Sequence, residues 1–486
     1  MALIKTENLS FRYPQCGESV LNNINIEIES GELVLLMGKT GSGKSTLLRL
    51  LKSELAPAGE RFGTIENNAS KTSLVIQNPE LSFVAHKVRG ELAFALENRR
   101  LSSDEIALKI GEISAYFNIT ELLDSNVSEL SGGEKAIVSV AAAMIDNADV
   151  LIMDEPLSQL DPKATNELIS LIKRLNQELG ITVIIACHSC EELVDISDRM
   201  IVLDNGSVIQ NCSPLEAVKN DKLLDFFPTY TSLFDERPLS VKSAIPLSAS
   251  LLEKECTPQS KNEIILQAKK ISFAYNKKQS DILNKLDFSV TKGSIHSIIG
   301  ANGSGKSTLL KALAGIKKCY SGKVRTYGKI AYMPQDVRYL FTQDTVGEHI
   351  SRDTALKFSL DKLLAQHPYD LSGGQMQMLA LAMLSEQSYD ILLLDEPAKG
   401  LDFCAKNELK EYLEDITAQG KTVVIVSHDM DFVSEISDTV SFLSDGIITI
   451  TGDRRIVLST LNFYTSTIRR ITSRHLKTAV SKGDLL

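Results

Sequence analysis

The stretch that decides the fold reads Gly38-Lys39-Thr40-Gly41-Ser42-Gly43-Lys44-Ser45 and continues into Thr46. Its spacing, Gly-x-x-x-x-Gly-Lys-Ser, is the phosphate-binding loop pattern. Glycines let successive backbone N–H groups converge on phosphate oxygens, while the lysine supplies a positive charge and the serine offers a hydroxyl to Mg²⁺. An apolar run precedes the loop and a helix-compatible run follows it, so the stretch predicts a strand, a phosphate-binding loop and a helix.

The same pattern occurs a second time, 262 residues later. This copy reads Gly300-Ala301-Asn302-Gly303-Ser304-Gly305-Lys306-Ser307 and continues into Thr308, again between an apolar and a helix-compatible run. Because other residues recur in the same order, the chain is interpreted as one domain written twice. The recurring pairs are Tyr13 and Tyr275, Ser131 and Ser372, Glu155 and Glu396, and His188 and His428.

Length and composition narrow the class of protein. A chain of 486 residues is expected to form at least two domains. No apolar run is long enough to cross a bilayer, and the N-terminus does not resemble a secretory signal. The net charge is −10 without a dense Lys/Arg block, so nucleic acid is not an expected partner. The seven cysteines are expected to be reduced, including the pair Cys187 and Cys190.

Short, wholly apolar runs predict buried parallel strands in each copy. Residues 150–154 and 181–186 are two of them, and Pro162–Leu179 between them reads as a crossover helix. Residues 1–30 alternate polar and apolar as antiparallel strands do, and 59–63 read as a loop. Helical spacing runs from about 88 to 123, a segment that is 17 residues shorter in the second copy. The predicted fold class is α/β with a doubly wound parallel sheet in each copy.

The repeat and the prolines suggest four parts. The first domain spans residues 1–230, a Pro-rich linker spans 231–262, and the second domain spans 263–467. Residues 468–486 form a basic tail. A solvated, frayed end is the expectation for this tail, and contact with a membrane surface or a partner is the alternative.

Acidic pairs end one apolar strand in each copy, as Asp154-Glu155 and Asp395-Glu396. An aspartate there can hold Mg²⁺, directly or through water, and the glutamate can polarise an attacking water. Strand ends also carry acid simply because they reach the surface. The phosphate-binding loop upstream of both pairs favours the catalytic interpretation.

Two Leu-Ser-Gly-Gly elements complete the set of motifs. They are Leu130-Ser131-Gly132-Gly133 and Leu371-Ser372-Gly373-Gly374, and each serine lies 24 residues before the glutamate of its acidic pair. A serine cap followed by glycines lets backbone N–H groups approach an anion closely. With these elements the chain resembles an ATP-binding-cassette (ABC) ATPase with two fused cassettes, over nearly all of its length except the linker and tail.

The resemblance implies a fold, a reaction and a composite site. It implies two tandem P-loop NTPase domains, each with a mostly parallel sheet core, an antiparallel β edge and a helical subdomain. It also implies hydrolysis of ATP with Mg²⁺, each nucleotide being closed by the Leu-Ser-Gly-Gly element of the opposite cassette. One site would then combine Lys44, Ser45, Asp154 and Glu155 with Ser372, Gly373 and Gly374. The other would combine Lys306, Ser307, Asp395 and Glu396 with Ser131, Gly132 and Gly133.

Further residues match the family pattern in both copies. The glutamine that touches Mg²⁺ and the attacking water corresponds to Gln77 and Gln335. The switch histidine that contacts the γ-phosphate corresponds to His188 and His428. The aromatic residue that stacks on adenine corresponds to Tyr13 and Tyr275, and the aspartate that communicates between sites to Asp161 and Asp402. The implied metal ligands are Ser45, Gln77 and Asp154, and Ser307, Gln335 and Asp395.

Local stretches resemble the energy-coupling-factor (ECF) type of importer ATPase. They are Gln77-Asn78-Pro79-Glu80, residues 91–98, and Lys399-Gly400-Leu401-Asp402. Leu157 and Ala398 depart from the family, which commonly has Thr or Ser there, but neither is an implied phosphate or metal ligand. The resemblance implies uptake of a vitamin, a precursor or a metal ion, at the cytoplasmic face of the membrane. It also implies two membrane partners, a scaffold and a substrate-binding subunit.

Two other twin-cassette classes remain as alternatives. A fused sugar-importer ATPase commonly has a degenerate second phosphate-binding loop, whereas the loop at Gly300 is intact. A ribosome-associated translation ATPase is expected to have a long, charged helical linker, whereas residues 231–262 are short and Pro-rich. Both alternatives are therefore less favoured than the ECF-type importer.

Overall fold

The computed structural model describes residues 2–14, 17–158, 160–191, 193–255, 263–275 and 280–486. The chain divides into two compact units, unit 1 (Met1–Ser240) and unit 2 (Val241–Leu486). Within the described residues, no helix combines the length and apolar character that crossing a membrane requires.

Unit 1 has an α/β core with an added antiparallel sheet. Its strands are β1 Ile4–Arg12, β2 Leu21–Ile28, β3 Leu33–Gly38, β4 Glu60–Asn67, β5 Thr72–Val75, β6 Val150–Asp154, β7 Thr182–Cys187, β8 Arg199–Asp204 and β9 Ser207–Cys212. Its α-helices are α1 Lys44–Leu51, α2 Val88–Asn98, α3 Ser103–Tyr116, α4 Gly132–Met144, α5 Pro162–Leu179 and α6 Pro214–Ala217.

Unit 2 repeats this order. Its strands are β10 Ile264–Phe273, β11 Leu283–Thr291, β12 Ile295–Ile299, β13 Ser321–Thr326, β14 Ile330–Met333, β15 Ile391–Asp395, β16 Thr422–Val426, β17 Thr439–Ser444 and β18 Ile447–Asp453. Its α-helices are α7 Val241–Leu247, α8 Lys306–Leu313, α9 Val346–His349, α10 Arg352–Lys357, α11 Gly373–Ser385, α12 Phe403–Ala418, α13 Met430–Ile436, α14 Arg454–Thr460 and α15 Thr467–Thr472.

The main sheets have the same topology in both units. The strand order is β5-β6-β7-β3-β8-β9 in unit 1 and β14-β15-β16-β12-β17-β18 in unit 2. All neighbours are parallel except the last strand of each sheet, which is antiparallel. Smaller antiparallel sheets, β2-β1-β4 and β11-β10-β13, lie beside them. The predicted α/β fold class is confirmed.

The central strands are apolar throughout because both faces of the sheet are covered. In β3, Leu33, Leu35 and Met37 pack with the helical layer of α4 and α5. Val34 and Leu36 point the other way and pack with α1 and the antiparallel sheet. Successive side chains of β3 thus pack into two different cores, one on each face of the sheet. This packing fixes the position at which the following loop begins.

The helical segment between β5 and α4 in unit 1, and between β14 and α11 in unit 2, accounts for the length difference between the copies. In unit 1 it forms α2 and α3, of 11 and 14 residues. In unit 2 the same segment forms α9 and α10, of 4 and 6 residues. The helical subdomain of unit 2 is therefore smaller than that of unit 1.

The predicted linker is divided between the two units. Residues up to Ser240 belong to unit 1, where Tyr230 and Thr231 are buried, and Val241 begins unit 2. Residues 256–262 of the predicted linker lie outside the described residues.

The basic tail is packed, so the prediction of a solvated, frayed end was wrong. Ile468, Ile471 and Val480 are buried. The hydroxyl of Ser248 donates to the carbonyl of Ile471 at 2.8 Å, and the N–H of Leu486 donates to the carbonyl of Leu252 at 2.9 Å. Because the tail carries apolar residues between its arginines, α15 and the chain end can close over α7 and the residues after it.

Candidate functional site

The first phosphate-binding loop lies between β3 and α1 and is held by its own lysine. The Nζ of Lys44 donates to the carbonyls of Gly38 at 2.7 Å and Lys39 at 3.1 Å. Gly38 has φ 155°, and a Cβ there would lie 2.5 Å from the carbonyl oxygen of Leu203. Glycine is therefore required at this turn, and the lysine ammonium is buried with its charge directed into the loop.

The second loop repeats the arrangement between β12 and α8. The Nζ of Lys306 donates to the carbonyls of Gly300 and Ala301, both at 2.9 Å. Within the part of the chain that the structure describes, the buried hydroxyls of Ser42 and Ser304 have no hydrogen-bond partner. Both loops therefore present a lysine ammonium and an unused hydroxyl to an incoming anion.

The aspartates of both acidic pairs lie at the ends of β6 and β15 with an unused oxygen. Asp154 Oδ1 and Asp395 Oδ2 are buried and have no hydrogen-bond partner among the described residues. The hydroxyl of Ser307 donates to Asp395 Oδ1 at 2.9 Å. Burial raises the pKa of Asp395 to about 6, opposed by that hydrogen bond and reinforced by the charge of Glu396. Burial also raises the pKa of Asp154, opposed by a hydrogen bond from Ser45.

These aspartates fit a magnesium ion. Mg²⁺ prefers carboxylate and hydroxyl oxygens and is usually held by one or two carboxylates together with substrate phosphates and water. A buried carboxylate oxygen without a partner, beside a serine hydroxyl, offers such ligands. No self-contained cage of three or more His, Cys, Asp or Glu side chains occurs among the described residues. The donor set therefore suits a metal that arrives with the phosphates.

Glu155 is held by two side chains in unit 1. Gln77 Nε2 donates to its Oε2 at 2.7 Å, and His188 Nε2 lies 2.5 Å from its Oε1. The other imidazole nitrogen, Nδ1, lies 3.3 Å from the carbonyl oxygen of Gly38 and 3.4 Å from Nζ of Lys44. One histidine thus connects the carboxylate to the phosphate-binding loop.

Glu396 is held differently in unit 2. The Nδ1 of His428 lies 2.8 Å from Glu396 Oε2, and the backbone N–H of His428 donates to the same oxygen at 3.3 Å. Burial lowers the pKa of His428, but the hydrogen bond and charge of Glu396 outweigh it, and the pKa is raised. Gln335 is exposed, and the described residues include no hydrogen bond between it and Glu396.

Both glutamates have a left-handed backbone. Their φ angles are 49° for Glu155 and 54° for Glu396. The backbone N–H of each donates at 2.9 Å to a carbonyl of the adjacent strand, that of Ala186 or Val426. Non-glycine residues in this region carry strain and persist where the surroundings hold them. The sharp turn lets the aspartate and the glutamate, although consecutive, point in different directions.

The predicted adenine-stacking tyrosines lie beside the loops in both units. Tyr13 Oη lies 3.1 Å from Oγ1 of Thr46, and Tyr275 Oη lies 3.4 Å from Oγ1 of Thr308. The ring of Tyr275 is half exposed, with Nζ of Lys317 5.3 Å from its centroid. A ring at the mouth of a phosphate-binding loop is placed to stack on a base, so this role stays a prediction with compatible geometry.

The Leu-Ser-Gly-Gly elements form the N-termini of α4 and α11. Ser131 and Ser372 are the N-caps, each in a reciprocal capping box with Glu134 or Gln375. The residue after each serine is an exposed glycine. These helix ends can therefore present backbone N–H groups to an anion. Their role in closing a nucleotide site stays a prediction.

Asp161 and Asp402 cap the helices that follow the acidic pairs. Their carboxylates accept from the backbone N–H of Ala164 and Ala405, each at 2.9 Å. N-capping is thus one function of both residues, and communication between sites stays a prediction.

Gln377 is a site residue that the sequence analysis missed. It is buried in α11, and its Nε2 donates to the carbonyl oxygen of Glu396 at 3.3 Å. The available signal was a glutamine within an otherwise apolar stretch of helix, at the position where unit 1 has Ala136. It supports the strained turn of Glu396 in unit 2.

The cysteine pair next to the first histidine is structural. Cys187 and Cys190 are free, buried thiols. Burial raises the pKa of Cys187 to about 12 and also raises the pKa of Cys190. Thiolates are the reactive form, so buried thiols with raised pKa values are poor nucleophiles, and the reduced state of this pair stays a prediction.

Comparison with known proteins identifies the same repeat. The family described as "ABC transporter" matches residues 21–158 and 283–399. A "Putative ABC transporter ATP-binding protein" of Bacillus anthracis is 35% identical, over 100% of this chain and 98% of the relative. The "Putative HMP/thiamine import ATP-binding protein YkoD" of Bacillus subtilis is 31% identical, over 91% of this chain and 90% of the relative.

Solved structures share the fold at lower identity. An archaeal ribosome recycling factor, solved with the ribosomal stalk protein aP1, has a TM-score of 0.64 and 21% identity, over 93% of this chain and 91% of that chain. A structure described as "RNase-L Inhibitor" has a TM-score of 0.63 and 21% identity, over 93% of this chain and 92% of that chain. At this identity the likeness shows the fold alone.

Proposed function

The chain belongs to the ABC transporter family of ATPases, with two cassettes in one polypeptide, and from that membership we propose that it energises an ECF-type membrane importer. The proposed cargo is a vitamin or vitamin precursor, with a metal ion as the other class that this type takes up. The chain would act at the cytoplasmic face of the membrane. Its partners would be a membrane scaffold and a substrate-binding membrane subunit.

The observation that carries the proposal is the end-to-end similarity to a relative named for import. The Bacillus subtilis relative, named for HMP and thiamine import, is 31% identical and aligns over nine-tenths of both chains. Similarity over both cassettes and the segment between them supports a shared architecture. The ECF-like stretches at Gln77 and Lys399 support the same assignment.

The geometry of the two sites supports hydrolysis in each. Both units have a lysine in the loop, an aspartate with an unused oxygen, and a glutamate held against a histidine. We propose that Lys44 and Lys306 bind the phosphates, and that Glu155 and Glu396 orient and polarise the attacking water. The backbone of each glutamate is already fixed by a strained turn and by a hydrogen bond to the adjacent strand, so the carboxylate starts close to its proposed working position.

A magnesium ion would be held by Ser45 and Asp154 in unit 1 and by Ser307 and Asp395 in unit 2. When bound, it would neutralise charge that develops on the phosphate oxygens. Gln77 and Gln335 complete the proposed ligand sets. The histidines are proposed to move from the glutamates toward the γ-phosphate, which would make each carboxylate available to water.

We propose that each nucleotide also contacts the Leu-Ser-Gly-Gly element of the other unit. Ser372 to Gly374 would complete the Lys44 site, and Ser131 to Gly133 the Lys306 site. Two nucleotides would then join the units, and hydrolysis would release them. Gln77 and Gln335 would pass this change to the membrane partners.

The experiment is affinity capture of the tagged full chain from detergent-solubilised membranes, followed by ATPase assay of the purified complex. We expect two small hydrophobic subunits to co-purify and ATP hydrolysis to be present. A Lys44→Ala/Lys306→Ala chain serves as the control, because it should still assemble while losing hydrolysis.

Recovery of ribosomes instead of membrane subunits would overturn the proposal in favour of the translation ATPase. Recovery of one pair of sugar-permease subunits would favour the sugar-importer class. Capture of the expected subunits without hydrolysis would retain the assembly and reject the enzymatic assignment.

A further inference from the structure

Tyr332 occupies the position three residues before Gln335, on β14 beside the acidic strand β15. In the parallel register Tyr332 pairs with Leu393, so Asp395 lies two residues further along the neighbouring strand. Residues two apart on a strand share a face. Tyr332 and Leu393 pack in the same cluster as Leu309 and Leu310 of α8. The phenol and the Asp395 carboxylate therefore lie on the side of the sheet that carries the second phosphate-binding loop.

Two buried atoms on this face lack partners and are chemically complementary. The hydroxyl of Tyr332 and Oδ2 of Asp395 are buried without a hydrogen-bond partner among the described residues. A phenol can donate, and an ionised carboxylate only accepts. Burial raises the pKa of Tyr332, and the Asp395 carboxylate raises it further, which agrees with their proximity. Buried polar groups are normally satisfied, so an unmatched donor near an unmatched acceptor needs an explanation.

Unit 1 has an aliphatic side chain at the equivalent position. Leu74 takes the place of Tyr332, pairing with Ile152 two residues before Asp154. It packs against Leu47 and Leu48 of α1 as Tyr332 packs against α8. The two sites therefore share the aspartate, the serine and the lysine but differ in one hydroxyl beside the aspartate.

We propose that Tyr332 is a positioning residue specific to the second site. When metal and nucleotide are bound, its hydroxyl donates to the Asp395 carboxylate, directly or through one water molecule. It thereby fixes the carboxylate for the metal, as hydrogen-bonded outer partners do in other metal sites. The second site then binds its metal more tightly than the first. This inference rests on the proposed ATP and Mg²⁺ sites and adds a difference between them.

The test measures metal binding rather than turnover. In a Lys44→Ala chain, which isolates the second site, Mn²⁺ is titrated in the presence of saturating ADP and followed by electron paramagnetic resonance. We expect Tyr332→Phe to weaken Mn²⁺ binding by about tenfold, because the lost hydrogen bond is to a metal ligand. ADP affinity in the presence of EDTA, and the melting temperature without ligands, should stay unchanged.

Two further variants separate positioning from packing. Tyr332→Leu, which copies unit 1, should weaken Mn²⁺ binding as Tyr332→Phe does, even if it also lowers the melting temperature. Tyr327→Phe alters an exposed tyrosine of the same unit and should have no effect. Unchanged Mn²⁺ affinity in Tyr332→Phe would overturn the inference and leave the proposed function intact. A Lys44→Ala chain that binds no ADP would instead reject the second site itself.

Discussion

The Nε2 atom of His188 lies 2.5 Å from Oε1 of Glu155. The equivalent histidine in unit 2 uses its other nitrogen, with Nδ1 of His428 2.8 Å from Glu396. In unit 1, Nδ1 is therefore left to face the carbonyl of Gly38 in the phosphate-binding loop. The two units use the same pair of residues in different ring orientations, so the two sites are not equivalent.

Glu396→Gln should lower the pKa of His428, because it removes the negative charge that raises it. Since folding raises this pKa, the ion pair between protonated His428 and Glu396 stabilises the folded chain. The full contribution is present at pH values below about 6.5, the ordinary pKa of histidine. That contribution is lost as the pH rises through the folded-state value. The difference in melting temperature between the chain and Glu396→Gln should therefore be larger in mildly acidic buffer than in alkaline buffer. Glu414→Gln, at an exposed position, is the control, and a pH-independent difference would contradict the argument.

Glu155→Gln and Glu396→Gln should each retain part of the ATPase activity of the assembled complex. An amide cannot act as a base toward water, so hydrolysis in the altered site should fall by about a hundredfold or more. The other site, with a complete residue set, should continue. Phosphate release measures this, and the double variant should be inactive. Full activity in either single variant would show that its site does not turn over.

Gly133→Ala should destabilise the chain by about 1–3 kcal/mol, because the new methyl group has no space. A Cβ at Gly133 would lie 2.6 Å from Cβ of Ala164 on α5. The matched control is Gly374→Ala in unit 2, where the nearest atom, Cδ2 of Leu401, is 3.4 Å away. Thermal unfolding without nucleotide measures both. Equal changes in stability for the two variants would show that helix propensity, rather than the close contact with Ala164, determines the effect.

Arg455→Ala should destabilise unit 2 by about 1–3 kcal/mol, since Glu253 loses its charged hydrogen-bond donor while Asp484 keeps Arg454. The buried guanidinium donates to Glu253 at 2.5 Å and to Thr478 at 3.0 Å, and it lies 3.8 Å from Asp484. Melting temperature and limited proteolysis of the last residues should both report the loss. Arg474→Ala, at an exposed tail position, should leave them unchanged. A tail that resists protease in Arg455→Ala would show that apolar packing alone holds it.

Lys323→Thr should stabilise unit 2 by up to about 1 kcal/mol at low ionic strength, because it removes a like-charge pair. Lys323 lies directly opposite Lys269 in the β10–β13 register, and neither has an ion-pair partner among the described residues. Unit 1 has Thr64 opposite Glu7 at the corresponding positions. Melting curves should show the gain shrinking in about 1 M salt, where such interactions are screened. A gain that salt does not change would assign the effect to strand propensity.

The sequence predicted the parts of the fold that local pattern controls. The bounds of β6 and α5 agree with the apolar run and the Pro-to-Gly helix that mark them. Strand β4, by contrast, begins at Glu60 inside a predicted loop. Nearly all its residues are exposed, so it has no apolar periodicity and is specified by pairing with β1.

For the candidate site, the sequence predicted which residues take part but not all of their contacts. The motifs predicted these residues because the phosphate-binding loop, the acidic pair and the Leu-Ser-Gly-Gly element are each a short, continuous stretch of sequence. Other features of the site depend on packing between segments that are distant in sequence. They are the ring orientations of the two histidines, the hydrogen bond from Gln377 to Glu396, and the position of Tyr332 beside Asp395. No local pattern encodes those relationships, and they are where the two copies differ.

The C-terminal residues pack on the segment that follows Ser240, and this packing determines where the chain can be divided into two polypeptides. Residues 241–255 contribute Ser248, Leu252 and Glu253 to contacts with α14, α15 and the last residues. A gene divided at the Pro-rich stretch, leaving the second product to start at residue 263, would remove those partners and expose the apolar side of α15. Division between Ser240 and Val241 keeps every one of these contacts within a single product, and is the place to cut when the cassettes are produced as two polypeptides.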